Sequence, residues 1–348
     1  MDLSRTTLII LSRNRQHCLR KILPFYKGMN LQILVLDNSP AALDPRFIPD
    51  NCTYFNADEP FAIRSARAAE LVTTPYTIIG ADDEIYLPSS LQRMQNFLDL
   101  NLDYVAVGGY AMAVWEYGPK IAATWAYEKT YRYHNDETEP LKRIAKHTGN
   151  GASPLTSFFT CNLTRTWAAQ QCLSMYAKAP VLATDAISVL TICGAGKSKY
   201  LDIVYWVRNW NQSPKSHAGW NRKVFLHEWW ADSNNRLAAD QFATELELVY
   251  QKYTALPTFA SAWDLILDSD KSLQKRESSL KVLIRSFNER RTFKSIRFRV
   301  KSIFHPKGLP ATVEVMSHRM SERGIYIPKI ELHSATSIVA TLLPYKSW

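Results

Sequence analysis

The sequence predicts an α/β protein with a mostly parallel sheet, followed by a basic, mainly helical C-terminal region. Short apolar runs rich in β-branched residues alternate with helical patterns through the N-terminal part of the chain. Continuous apolar runs are typical of strands covered on both faces, and their alternation with helices favours a parallel sheet. The chain has 348 residues and is 46% hydrophobic, which is enough for one large or two modest domains.

The N-terminal elements follow one another with short connections. The predicted strands are TTLIILS (6–12), LQILVLDNS (31–39), NCTYFNA (51–57) and YTIIGADDE (76–84). The predicted helices begin at Asn14 and break near Pro24 and Gly28, cover 61–74, and cover 87–101. Proline and serine near the start of the third segment are typical of a helix N-terminus.

The middle of the chain mixes strands and helices. The predicted strands are YVAVGGYAMAVW (104–115), SFFTCNL (157–163) and KYLDIVYWVRNW (199–210), and the predicted helices are 164–177 and 184–196. Beyond Trp220 the pattern is mainly helical. We therefore expect an α/β domain over 1–220 and a helical region over 221–348.

The net charge of +10 is concentrated near the C-terminus. The segment 271–325 holds fourteen Lys or Arg and four Glu, an excess equal to that of the whole chain. No recognised nucleic-acid-binding motif accompanies this charge, so an anionic membrane surface is the expected partner.

Five scattered cysteines without CxxC spacing favour neither a zinc site nor a disulfide framework and fit a reducing, cytoplasmic compartment.

Polar residues follow three of the predicted strands. They are Ser12–Arg15, Asp37–Ser39 and Asp82–Glu84. Ligands of open α/β sheets bind beyond the carboxyl ends of the strands. Guanidinium groups on one side and carboxylates on the other predict a crevice for an anionic ligand bridged by a divalent cation. An exposed turn before the next helix is the alternative for the three acids alone.

In these residues the chain resembles a bacterial nucleotide-sugar glycosyltransferase of the GT-A fold, similar to family 2 enzymes of polysaccharide gene clusters. The resemblance rests on TLIILSRNRQHCLRKIL, ILVLDNSP, VTTPYTIIGADDEIYLP and VLATDAISVLTICGAGKSKYLDIVYWVRNWNQS, in that order. It covers about the first 215 residues. It implies transfer of a sugar from a nucleotide-diphosphate donor to a glycan or lipid-linked glycan, with Mn²⁺ or Mg²⁺ bridging the donor phosphates.

The resemblance also implies roles for particular residues. Those expected to hold the donor are Ser12, Arg13, Asn14, Arg15, Asp37 and Asp82, together with Arg64 on the second helix and Arg208 in the stretch VRNWNQSPKSHAG. The metal ligands are expected among Asp83, Glu84 and His217. The usual leading aspartate of the Asp-x-Asp motif falls on Gly80 or Ala81, so the choice between Asp83 and Glu84 stays open.

Asp185 lies at the predicted start of a helix. A carboxylate there stabilises the helix dipole. The resemblance favours a second role, in which Asp185 is the catalytic base that accepts the proton of the acceptor hydroxyl in an inverting, single-displacement reaction. The nearby GAGKSK is not a P-loop, because its first glycine is missing and it follows a helix rather than a strand.

Two other functions remain open. A sugar nucleotidyltransferase would need a glycine-rich loop after the first strand, and LSRNRQ has no glycine. A non-catalytic glycan- or membrane-binding protein on a degenerate GT-A fold is the third class.

Near the C-terminus, ERRTFKSIRFRVKSIF places Phe293, Ile296, Val300 and Phe304 on one helical stripe among basic residues. That pattern predicts a helix that lies peripherally on the inner face of the cytoplasmic membrane, or an ordinary amphipathic helix against the core.

Overall fold

The computed structural model describes the N-terminal two thirds of the chain almost continuously and parts of the remainder. The described residues are 1–117, 120–126, 133–149, 161–209, 225–253, 260–272, 274–275, 303–304, 321 and 324–326. His217, Arg290, Arg291 and Lys294 lie outside them, as does most of the basic segment 271–325.

The predicted strands and helices of the first 209 residues occur in their predicted order, and the structure adds strands over 84–86, 120–126 and 134–135 and a helix over 140–149. The strands are β1 (Thr6–Ser12), β2 (Gln32–Asp37), β3 (Cys52–Asn56), β4 (Tyr76–Gly80), β5 (Glu84–Tyr86), β6 (Tyr104–Tyr117), β7 (Lys120–Ala126), β8 (His134–Asn135), β9 (Leu163–Arg165), β10 (Lys197–Asn209) and β11 (Ile303–Phe304). The helices are α1 (Gln16–Ile22), α2 (Phe61–Leu71), α3 (Pro88–Leu100), α4 (Pro140–Gly149), α5 (Thr166–Tyr176), α6 (Thr184–Ala195), α7 (Leu226–Ala231) and α8 (Arg236–Tyr253).

The N-terminal half of the sheet is parallel. Strands β3, β2, β1 and β4 lie side by side in that order, and each neighbouring pair runs in the same direction. Helix α1 lies in the connection from β1 to β2 and helix α2 in that from β3 to β4, while β2 and β3 are joined by a segment with one short 3-10 helix. The α/β class predicted from the alternating pattern is therefore confirmed. The carboxyl ends of β1, β2 and β4 consequently meet at one edge.

Beyond β4 the sheet becomes mixed. Strand β9 is antiparallel to both β4 and β6, while β6 and β10 run parallel over most of their lengths. Strand β5 pairs antiparallel with the end of β10, and Glu84 lies opposite Arg208 in that register. This pairing brings the acidic cluster next to the last residues of β10.

Three predicted elements differ from the structure. The fourth strand ends at Gly80 rather than Glu84, because the chain turns at 81–83 and Glu84 begins β5. Strand β9 begins at Leu163, after most of the predicted strand 157–163, whose first residues lie outside the described part. The predicted C-terminal amphipathic helix cannot reach Phe304, because Ile303 and Phe304 pair as a strand with the edge of β7.

A close approach of β6 and β10 depends on a glycine. A Cβ atom added at Gly109 would lie 2.5 Å from the carbonyl oxygen of Ile203. We expect Gly109→Ala to lower the free energy of unfolding by about 3 kcal/mol, because backbone cannot yield as a flexible side chain can. Gly149→Ala, with nothing within 4 Å of the added Cβ, is the matched control. Equal denaturant stabilities of the two variants would contradict this account.

The helices after β10 pack onto the same core. Leu226, Phe242 and Trp263 belong to one continuous hydrophobic cluster with the strands of the sheet. Trp263 lies in a helical segment over 260–272, and its ring centroid is 4.8 Å from that of Trp230. The proposed domain boundary near 220 falls outside the described residues. Among the residues that the structure describes, no helix has the length and apolar character needed to cross a bilayer.

Candidate functional site

The ends of three adjacent parallel strands are joined by side-chain contacts. Ser12 ends β1 and lies opposite Asp37, the last residue of β2. The Ser12 hydroxyl donates a hydrogen bond of 2.8 Å to the carboxylate of Asp82, which follows β4. The structure thus brings together the three polar strand ends that the sequence singled out.

Arg15 lies between the first two acids of the cluster. Its Nη1 atom is 2.9 Å from Asp82 Oδ1, and its Nη2 atom is 2.9 Å from Asp83 Oδ2. Asp82 and Asp83 are 5% and 8% exposed, so solvent screens the two carboxylates poorly. The guanidinium is therefore the main counter-charge of this turn within the described residues.

These charges perturb one another's protonation. Burial raises the pKa of Asp82 to about 6, with Arg15 acting against the shift and Asp83 adding to it. Burial lowers the pKa of Arg15, but the two carboxylates more than offset that effect and raise it above its ordinary value. The Arg15 guanidinium therefore favours the ionised form of Asp82 against the effect of burial.

The loop after β1 positions Arg15. Asn14 has a φ of 56°, in the left-handed region that asparagine tolerates better than most residues. Its backbone N–H donates to the Ser39 hydroxyl over 3.1 Å. Arg13 and Asn14 are exposed at the mouth of the crevice. Two residues of this loop thus face outward while Arg15 turns inward.

Asp37 is buried and held by side chains. One carboxylate oxygen accepts from the Ser39 hydroxyl at 2.7 Å, and the other accepts from Tyr54 at 2.8 Å and from Gln16 at 3.3 Å. Only 1% of Asp37 is exposed. Its carboxylate therefore organises the neighbouring polar groups, and those groups present the more accessible surface.

Arg64 points into the protein rather than into open solvent. Its guanidinium donates to the backbone carbonyls of Ser12, Leu36 and Glu59. Burial lowers the pKa of Arg64, although Asp37 acts against the shift. These contacts tie helix α2 to the ends of β1 and β2. A direct contact with donor phosphates would require the guanidinium to leave them.

Glu84 is buried beside the acidic turn. Its carboxylate accepts from the Tyr86 hydroxyl at 3.1 Å, contacts the Cys161 thiol at 3.6 Å, and lies 3.7 Å from Arg208 Nε. Burial raises the pKa of Glu84, with Arg208 acting against the shift. Arg208 itself is partly exposed, and its guanidinium lies 5.8 Å from the centre of the Trp206 ring. The acid holds Arg208 next to the acidic turn.

Asp185 is the first-turn acid of α6. Within the described residues no hydrogen bond or ion pair reaches its carboxylate, and burial raises its pKa to about 7. Burial raises the pKa of the Tyr176 phenol, and Cys172, Asp185 and Cys161 add to the shift. The charge of Asp185 therefore acts on the Tyr176 hydroxyl. A half-buried carboxyl group that is about half ionised at pH 7 suits a proton acceptor.

Sequence reasoning missed most of the residues that hold the acids in place. Ser39 and Tyr54 hold Asp37, while Tyr86 and Cys161 hold Glu84. Ser39 was identified as a polar residue at a strand end, without a role of its own. Tyr54 and Cys161 carry no comparable signal, since their contacts arise only when distant segments meet.

The acidic turn offers hard oxygen ligands of the kind that Mg²⁺ and Mn²⁺ prefer. Asp83 fits this role better than Glu84, because it lies in the turn beyond the end of β4, whereas the Glu84 carboxylate is held by Tyr86, Cys161 and Arg208. No cluster of three or more His, Cys, Asp or Glu side chains forms a complete cage among the described residues. A metal at this turn would therefore need oxygen atoms from a bound substrate as well as from Asp83.

Comparison with known proteins gives matches of fold only. No family model and no curated protein matches the chain. Solved structures that match include S. aureus TarS 1-349 in complex with UDP-GlcNAc, at a TM-score of 0.48 and 12% identity, covering 98% of this chain and 89% of that one. The same fragment with UDP matches at 0.43 and 12% over the same shares of the two chains. S. aureus TarS matches at 0.44 and 11%, over 98% of this chain and 54% of that one. At TM-scores below 0.5 these matches carry no argument about activity.

Proposed function

We propose that the protein is a glycosyltransferase that moves a sugar from a nucleotide-diphosphate donor to a glycan or lipid-linked glycan. The observation that carries the proposal is the meeting of Ser12, Arg15, Asp37 and the acidic turn at the carboxyl ends of adjacent parallel strands. That edge is where ligands of such sheets bind. Its paired cations and carboxylates suit a diphosphate.

In this proposal Asp83 supplies the protein's carboxylate to a divalent cation, Mn²⁺ or Mg²⁺. Such a cation would neutralise charge on the diphosphate leaving group. Glu84 acts indirectly in this proposal. It holds Arg208, whose guanidinium is assigned to the donor phosphates. We assign the metal to Asp83 rather than to Glu84 because of the contacts that hold the Glu84 carboxylate, and the proposal does not depend on His217.

Asp185 is the proposed catalytic base. The acceptor oxygen attacks the anomeric carbon, its proton moves to the Asp185 carboxylate, and the bond between that carbon and the donor diphosphate breaks. The leaving nucleotide diphosphate carries away the bonding electrons. A single displacement of this kind inverts the anomeric configuration. Support comes from the raised pKa and from the absence of a competing partner among the described residues.

Metal removal is the first test. We expect donor consumption to stop on treatment with excess EDTA and to return with Mn²⁺ or Mg²⁺, because a diphosphate beside two acids needs a compensating charge. The assay follows release of the nucleotide diphosphate from a panel of nucleotide sugars, with and without acceptor. Full activity after EDTA treatment would refute the metal-dependent form of the proposal.

The same assay separates the leading function from its alternative. A non-catalytic binding protein on the same fold would bind a nucleotide sugar or a glycan and consume neither. Stoichiometric binding without any turnover, across the whole panel and with metal present, would favour that alternative.

The basic segment 271–325 is proposed to hold the protein on anionic membranes from the cytoplasmic side. We expect binding to vesicles that contain anionic lipid, and weaker binding at high salt because exposed charges are screened. The combined changes Arg290→Glu, Arg291→Glu and Lys294→Glu should release the protein. Transfer to a short soluble acceptor should stay unchanged. Co-sedimentation that does not depend on anionic lipid would contradict this attachment.

A further inference from the structure

Arg15 is held by the acidic turn in a way that bears on how a ligand enters. Its guanidinium bridges two carboxylates that are adjacent in sequence, with both N–O distances at 2.9 Å. The side chain of Arg15 is only 14% exposed, and those of Asp82 and Asp83 are 6% and 11% exposed. Like charges at such a site repel each other strongly unless a cation lies between them.

The bridge occupies an oxygen of the residue to which metal binding is assigned above. A divalent cation on Asp83 would lie within a few ångströms of the guanidinium, and two positive charges so close in a poorly hydrated site repel each other. Arg15 Nε is also buried and without a hydrogen-bond acceptor in the described part of the chain. The bridging arrangement therefore leaves one guanidinium donor unsatisfied, and buried donors usually find an acceptor.

We propose that Arg15 is a built-in counter-cation that occupies the acidic turn of the free protein and gives up Asp83 when donor and metal bind together. This inference rests on the donor site proposed above. Asp82 retains Arg15 through its own contact, and an oxygen of the donor diphosphate becomes the second acceptor. Metal alone competes with Arg15 for Asp83 and therefore binds weakly. Metal that binds together with a diphosphate binds more tightly, because the diphosphate offers Arg15 another acceptor.

The direction of one measurement separates this role from simple support of the turn. Calorimetry follows Mn²⁺ binding to the nucleotide-free protein for the wild type, Arg15→Gln and Arg20→Gln. Arg20 is an exposed arginine on α1, and the Arg20→Gln change removes the same charge at a position that does not contact the acids. We expect Arg15→Gln to tighten Mn²⁺ binding roughly tenfold or more, and Arg20→Gln to leave it within about twofold. Arg15→Lys keeps a charge on the loop and should stay near the wild type.

A second measurement needs no variant. In wild-type protein, nuclear magnetic resonance of the Arg15 Nε–H group should show a shifted signal when Mg²⁺ and UDP are added together, and a much smaller shift with Mg²⁺ alone. Equal or weaker Mn²⁺ binding in Arg15→Gln, or an Nε–H signal that ignores Mg²⁺ with UDP while UDP binds, would overturn the inference. A wild-type protein that binds no nucleotide diphosphate or nucleotide sugar in any metal would instead overturn the proposed function.

Discussion

Asp83→Asn is expected to reduce glycosyl transfer by about 10³-fold or more while the protein stays folded. The change keeps the shape of the side chain but removes the charge that would face the metal and the donor diphosphate, and such electrostatic groups supply several kcal/mol in transition states. Folding should survive because Asp83 adds to the raised pKa of Asp82, so neutralising it also relieves repulsion within the turn.

The control for this variant is Asp50→Asn. Asp50 is an exposed acid before β3, at the opposite end of the strands from the crevice. Both variants lose one negative charge, so a general charge effect would appear in both. Nucleotide release in the presence of Mn²⁺ and circular dichroism provide the two readouts. Asp83→Asn with wild-type turnover would exclude the assigned role.

Asp185→Asn is expected to lower the turnover rate by ~10²–10⁴-fold, the usual contribution of a positioned proton acceptor. Donor affinity should change little, since the carboxylate is assigned to the acceptor. With burial raising the pKa of Asp185 to about 7, the wild-type rate should rise as pH increases through about 7 and then level off, because only the ionised form accepts a proton. Loss of donor binding in calorimetry would place Asp185 in the donor site or in a structural role.

The same variant should be more stable than the wild type at alkaline pH. The pKa of Asp185 is raised from an ordinary value of 3.8 to about 7, so its folded form favours the protonated state. The cost of ionising it is absent below about pH 4, grows between pH 4 and 7, and is constant above pH 7. Asparagine avoids that cost, which we place on the order of 2 kcal/mol after allowing for partial exposure.

This stability change separates the two interpretations of Asp185. If Asp185 only stabilises the dipole of α6, Asp185→Asn should lower the free energy of unfolding by about 0.3–1 kcal/mol. A desolvated base would gain stability and lose activity. Chemical denaturation at pH 4.5 and pH 8 distinguishes the two, because only the base predicts an advantage for Asn that appears at the higher pH.

The sequence predicted the parallel core well because its signals are local. The apolar run of β1 was predicted with the same limits as the observed strand, and the breaks near Pro24 and Gly28 follow from proline geometry and a glycine with a φ of 77°. The polar strand ends were also identified, since parallel strands place their carboxyl ends at one edge. Their meeting in space follows from that rule.

The inward direction of individual site residues could not be predicted in the same way. Glu84 and Asp83 are adjacent in sequence, yet Glu84 begins β5 and its carboxylate lies among Tyr86, Cys161 and Arg208. That orientation depends on the pairing of β5 with β10, more than one hundred residues away along the chain. Arg64 likewise bonds to backbone carbonyls that only the folded sheet brings within its reach.

The central claim is that the crevice at the ends of β1, β2 and β4 binds a nucleotide-diphosphate sugar. Calorimetric titration of the wild type and Asp83→Asn with a panel of nucleotide sugars in the presence of Mn²⁺ tests it most directly. The account predicts that at least one nucleotide sugar binds the wild type with a stoichiometry near one and binds Asp83→Asn at least tenfold more weakly. Binding of none of them to the folded wild type, or equal binding to the two proteins, would contradict it.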